Sequence, residues 1–237
     1  AHLFLSLFTP TLALVFASPA AFAAASAPLL KLHAVPFTQV EITDSFWAPR
    51  RETNRVASIP LNLEMLEKSG NFRNLELAAA KKTEGFRGPV FMDSDIYKAL
   101  EAAAYSLATH PDAALEKKLD GIIAQIAAAQ EPSGYIDTYF QVKEPTKKWT
   151  NLRDWHELYC AGHMIEAAVA HYQATGKRTF LDVAIKCSDH IDSIFGSPPG
   201  KRMGYPGHPE LELALVKLAR VTGERRYFDL ARFFVEN

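Results

Sequence analysis

From Asp93 onward, apolar residues return every three or four positions, the spacing that lines one face of an α-helix. In DSDIYKALEAAAYSLA (93–108) that face is Ile96, Leu100, Ala103 and Leu107. THPD (109–112) reads as a turn and AALEKKLDGIIAQIAAAQ (113–130) as the returning helix. A second pair follows at 156–175 and 178–195, with Gly176 and Gly196 as stops. A third begins at 208–222, stops at Gly223, and returns with RRYFDLARFFVEN. A glycine just past the last turn adopts the left-handed conformation that ends a helix. Upstream, Asp44 or Ser45 caps a helix running to about Lys68, with Pro49 in its first turn, a kink at Pro60 and Gly70 as the stop.

The hairpins repeat. ATGKRTFLDVA (174–184) and VTGERRYFDLA (221–231) align at a constant offset of 47 residues. This spacing exceeds the ~34 residues of a tetratricopeptide unit, whose signature is absent. No segment reads as a strand ladder. The pattern predicts an all-α fold, either an α-solenoid or an (α/α) toroid. The linkers before the second and third hairpins are long and rich in aromatics, Gly and Pro, where an enzyme places functional groups.

Composition changes this picture little. The chain has 237 residues, is 48% hydrophobic and 22% charged, and carries a formal net charge of −1. Such a balance lacks the electrostatic footprint of a nucleic-acid or membrane-surface binder. The run LFLSLFTPTLALVFA (3–17), followed by Ala21-Phe22-Ala23, resembles the apolar and cleavage regions of a secretory signal. Pro10, Ser18 and Pro19 argue against a membrane span, which needs about 18 apolar residues. The expectation is a secreted or periplasmic protein whose signal peptide occupies 1–23. The first residue is Ala1, and Phe233-Phe234-Val235-Glu236-Asn237 lies inside a helical pattern. A piece of a longer protein is therefore expected. Two cysteines, Cys160 and Cys187, make neither a disulfide scaffold nor a closed zinc site.

Each hairpin opens on a polar cluster: Asp93-Ser94-Asp95, Asp154-Trp155-His156-Glu157 and Gly207-His208-Pro209-Glu210. If the first helices pack side by side, these clusters meet at one mouth, where free N–H groups and partial positive charge suit a polar hydroxylated ligand. That field also favours neutral imidazoles. Candidate ligand-binding residues are His156, His208, Asp93, Asp95, Glu157 and His163. A simple capping role competes for Asp93, a core position for His163, and a dipole role for Glu157 and Glu210. DWHELYCAGH (154–163) resembles a metalloprotease motif, but Cys160 stands where the second histidine belongs. His156, Cys160 and His163 are expected to share one helical stripe. The loop 131–155 carries Tyr135, Tyr139, Phe140, Trp149 and Trp155, which either stack on sugar rings or plug the loop end of the bundle.

Four segments together resemble the β-L-arabinofuranosidase family, glycoside hydrolase family 127 and its relatives. They are Phe91-Met92-Asp93-Ser94-Asp95-Ile96-Tyr97-Lys98, Ser133-Gly134-Tyr135-Ile136-Asp137-Thr138, His156-Glu157-Leu158-Tyr159 with Gly162-His163-Met164-Ile165-Glu166, and Gly207-His208-Pro209-Glu210-Leu211-Glu212. The resemblance implies an (α/α)6 toroid, about half of it over 41–237 after a linker at 24–40. It implies action on β-L-arabinofuranosyl linkages of plant-type glycans with retention of configuration. It further implies that histidines matching His156 and His208 line the arabinose pocket. The family's nucleophile is a zinc-bound cysteine, whose ligands and acid/base partner match nothing in this chain; Cys160 is not at a ligand position. No catalytic and no metal-ligating residue is therefore expected within 1–237. Two other classes remain open: a metal-free glycosidase or polysaccharide lyase using Asp93, Asp95 or Asp137, and a helical-repeat binding protein. Inverting carboxyls would stand ~6.5–9.5 Å apart.

Overall fold

Asp44 opens the helical chain as expected: its carboxylate accepts hydrogen bonds from the N–H groups of Phe46 and Trp47, at 2.8 and 2.6 Å. Helix α1 (Trp47–Thr53) continues through a π-helical turn at Asn54–Ser58 into α2 (Ile59–Ser69). The disturbance expected at Pro60 takes that form. Pro60 has no N–H to donate and sits near the start of α2, directly after the widened turn. Gly70, at φ 94°, ends α2.

The computed structural model describes residues 32 and 34–237, of which Pro36–Asn237 form one unit. The signal peptide expected at 1–23 lies outside the described residues, as does most of the linker expected at 24–40. Among the described residues no helix is long and apolar enough to cross a membrane. None forms a strand; Phe195 and Arg202 make one isolated bridge.

One helix was not foreseen. After Gly70 the chain turns into α3 (Asn71–Ala79), whose buried face includes two asparagines. Asn71 donates to the Met92 carbonyl at 2.9 Å, and Asn74 exchanges hydrogen bonds with the Arg87 backbone at 2.8 and 3.1 Å. These polar side chains replace backbone partners that the loop before Asp93 lacks.

The three hairpins follow the sequence pattern closely: α4 (Asp93–Thr109) with α5 (Ala113–Ala129), α6 (Glu157–Thr175) with α7 (Thr179–Ile194), and α8 (Leu211–Thr222) with α9 (Arg225–Glu236). Helix α6 packs between α4 and α8, while α3, α5, α7 and α9 form a second layer. Small residues on α6, including Ala161, Gly162, Ala167 and Ala168, are buried and let its neighbours approach closely. Arg51 in α1 reaches Thr109 at 3.0 Å, whereas Asn71 after α2 reaches Met92. The α1–α2 segment therefore runs antiparallel to α4. With α4, α6 and α8 side by side, their N-termini share one end of the unit.

Candidate functional site

His156 and His208 meet at that end. Their Nε2 atoms are 3.0 Å apart and their ring centroids 4.9 Å apart, although 52 positions separate them in the chain. His156 adopts the left-handed conformation (φ 58°, ψ 13°), unusual for a residue with a side chain. Its Nδ1 lies 2.6 Å from the Asp154 carbonyl oxygen, which can only accept, so Nδ1 carries the proton. In the neutral ring Nε2 is then an acceptor, and the His208 Nε2–H donates to it. With the His156 tautomer fixed by Asp154, the pair offers one acceptor and one donor, and a hydroxyl needs one of each.

Two glycines bring the pair together. A Cβ on Gly207 would stand 1.9 Å from the Arg153 carbonyl oxygen, so the linker before α8 lies directly on the linker before α6. The Gly207 N–H donates to the Leu152 carbonyl at 3.1 Å. A Cβ on Gly162 would meet the Glu210 side chain at 2.7 Å and the Leu211 nitrogen at 3.0 Å, so α8 begins against α6.

Below the pair sits Tyr159. Its ring centroid lies 5.6 Å from that of His156, 5.2 Å from His208 and 4.4 Å from His163. The half-buried stripe at the start of α6 is therefore His156, Tyr159 and His163; Cys160, expected on it, is buried. Lys98 of α4 donates to the Tyr159 hydroxyl at 2.7 Å. His163 Nδ1 comes within 3.2 Å of Glu210 Oε1, without the alignment of a hydrogen bond. Burial, then Lys98, lowers His163 to about 4. Burial, with Glu166 and Glu101 nearby, pushes Glu210 up to about 7. These opposite shifts leave His163 uncharged at neutral pH, so the contact is not an ion pair. Lys217 reaches Glu166 at 2.7 Å. Tyr159, Lys98, Glu101 and Glu166 were not singled out as site residues in the sequence, and Glu210 was named only in a polar cluster with a dipole role in competition; the three-and-four spacing of Tyr159 from His156 and His163 is the signal that marks it.

The remaining candidates do other work. Asp93 is buried and accepts from Thr138 through both its N–H, at 2.7 Å, and its hydroxyl, at 2.5 Å. Glu157 is buried and accepts from the Tyr135 hydroxyl and the Trp149 N–H, both at 2.6 Å. Burial pushes Glu157 up to about 7 and raises Asp93 as well. Both carboxylates anchor the loop 131–155, and their hydrogen bonds go to it rather than to the histidine pair. Asp137 is buried too, and its own carboxylate caps Tyr139 and Phe140 at 3.1 and 3.3 Å. Asp95 is exposed, in a cleft shared with Lys98, Asn62 and Asn71. The loop aromatics plug the bundle: Tyr135, Phe140 and Trp149 are buried, and Tyr139 and Trp155 pack against them.

A family model for the β-L-arabinofuranosidase GH127 catalytic domain matches residues 39–237. The chain belongs to this family. A non-reducing end β-L-arabinofuranosidase of Bifidobacterium longum is 40% identical, over 83% of this chain and 33% of its own length. The crystal structure of a GH127 β-L-arabinofuranosidase from Geobacillus stearothermophilus T6 superposes with a TM-score of 0.81 at 47% identity, over 83% of this chain and 32% of that one. Another GH127 β-arabinofuranosidase structure gives a TM-score of 0.81 at 43% identity, over 84% of this chain and 33% of its own. The chain thus spans about a third of the length of these relatives. Its fold is that of the GH127 helical toroid, the (α/α) alternative among those the repeats left open.

GH127 membership raises the question of zinc, and the residues described do not fit it. No three of the His, Cys, Asp and Glu side chains among them gather as a metal site. Cys160 and Cys187 are buried thiols; burial raises Cys160 well above its ordinary value and pushes Cys187 up to about 12. Neither offers the thiolate that zinc requires.

Proposed function

We propose that this chain forms one wall of the sugar pocket of a glycoside hydrolase acting on β-L-arabinofuranosyl linkages of plant-type glycans. The observation that carries the reading is the approach of His156 and His208 to 3.0 Å from two separate hairpins of a GH127 fold. Two imidazoles at helix N-termini, one donating and one accepting, match the two-way hydrogen bonding of a sugar hydroxyl. On this reading His156 and His208 bind and orient the furanose, and Tyr159 with Phe91, whose ring centroid lies 5.3 Å from that of His156, shields it from water. The cleavage retains configuration. The residues described supply neither nucleophile nor metal ligands; in the complete protein a bound zinc would hold a nucleophilic cysteine as its thiolate at neutral pH. The protein is exported by the apolar segment within 1–23.

Of the three carboxylates of the metal-free alternative, Asp93 and Asp137 are buried and only Asp95 is exposed, which leaves that alternative without an accessible pair. The test uses the full-length protein and p-nitrophenyl β-L-arabinofuranoside. Release of β-L-arabinose as the first-formed anomer, lost on chelation and restored by zinc, is the expected result. No release, or an inverted product insensitive to chelators, overturns the reading.

A further inference from the structure

We propose that the Tyr159 hydroxyl is a third hydrogen-bonding partner for the furanose, held in position by Lys98; this rests on the pocket proposed above. Three inner helices meet at this side chain: α6 carries it, α4 supplies Lys98, and the start of α8 supplies His208. Its ring stands within 5.6 Å of three imidazole centroids, so its place in the cluster is set from several sides.

The donor arithmetic points outward. The Lys98 ammonium has only protons to give, and it gives one to the Tyr159 oxygen at 2.7 Å while lying 3.1 Å from Ser94 Oγ. The phenolic proton therefore cannot be directed at Lys98. Among the described residues no acceptor takes it, and Tyr159 is only partly buried. A cation on the oxygen also strengthens the O–H as a donor. A sugar hydroxyl beside it can accept from Tyr159 while donating to an imidazole nitrogen of the histidine pair. Tyr159 is thus a binding residue, and Lys98 is a positioning residue acting through it.

The experiment compares wild type, Tyr159→Phe, Lys98→Met and Lys98→Arg in the full-length protein. Substrates are p-nitrophenyl β-L-arabinofuranoside and its 2-, 3- and 5-deoxy analogues. Phenylalanine keeps the ring packing, and thermal melts check each variant's fold. The expected result is a fall of about 10-fold in kcat/KM for Tyr159→Phe, the scale of one hydrogen bond. One deoxy analogue should lose more than that on wild type, since it removes the imidazole bond as well, and its penalty should be about 10-fold smaller on Tyr159→Phe. Lys98→Met should behave like Tyr159→Phe, and Lys98→Arg should recover activity. If wild type and Tyr159→Phe lose equally on every analogue, the hydroxyl touches no sugar and the proposal falls, while the pocket reading stands. If wild type cleaves none of these furanosides, the pocket reading fails and takes this proposal with it.

Discussion

At the scale of single residues, the site depends on contacts too close for any side chain but hydrogen. Gly207 lies against the Arg153 backbone, and a methyl group there cannot be absorbed by a rotamer change. Gly207→Ala should lower stability by about 1–3 kcal/mol, as overpacking does, read from a denaturant midpoint, and should move His208 away from His156. An unchanged midpoint would mean the two linkers are not pressed together. The sequence shows Gly207-His208 beside a helix start, so His208 was legible as a candidate. The carboxylates were harder to read. Asp93 looks like an ordinary cap, but its partner, Thr138, lies 45 residues away. Glu157 suits a helix N-terminus by charge, yet its two partners sit in the preceding loop. A carboxylate that caps, one that clamps and one that binds sugar share the same letters; only tertiary distance separates them.

At the scale of elements, the loop 131–155 is held by buried carboxylates, and that predicts a pH signature. Glu157 has a folded value of about 7, above its ordinary 4.5, because burial disfavours its charge. The folded state therefore holds this proton more tightly than the unfolded chain. Its contribution is complete below about pH 4.5 and is lost as pH rises through about 7. The lowered values of His163, His171 and His190 act in the opposite sense at acid pH, so the total slope mixes both. Comparison with Glu157→Gln isolates the carboxyl. The stability difference, wild type minus variant, should fall between pH 5 and 8 by up to about 3 kcal/mol; a difference constant with pH contradicts the assignment. Long periodic helices were legible to within about three residues: most bury one stripe at helical spacing, and α6, buried on nearly every side, is bounded by its polar start and by Gly176. Helix α3 was not, because Asn71 and Asn74 occupy buried positions that a hydrophobic pattern reserves for apolar residues. The π turn before Pro60 was legible only as a disturbance, since sequence names the proline and not how the backbone accommodates it.

At the scale of the molecule, helices α4, α6 and α8 turn one polar end toward a common mouth and leave apolar side chains at the edges of the arc. Leu213, Phe228 and Val235 on α8 and α9 are 51%, 44% and 72% exposed, and Leu61 and Met65 on α2 are 54% and 42% exposed. Surfaces of this kind are covered in a closed toroid. We predict that residues 1–237 alone hydrolyse no β-L-arabinofuranoside and fold poorly; turnover by the purified chain would sink that prediction. The repeats in the sequence showed hairpins and their order, whereas toroid against solenoid was settled by the GH127 structures rather than by periodicity. The central claim is that His156 and His208 act together on one sugar. It is tested most directly by kcat/KM on p-nitrophenyl β-L-arabinofuranoside for full-length His156→Ala, His208→Ala and the double variant. The account predicts losses of roughly 10- to 100-fold for each single change and a double loss smaller than their product, because the two rings share one partner. Single variants within twofold of wild type, or losses that multiply fully, would contradict it.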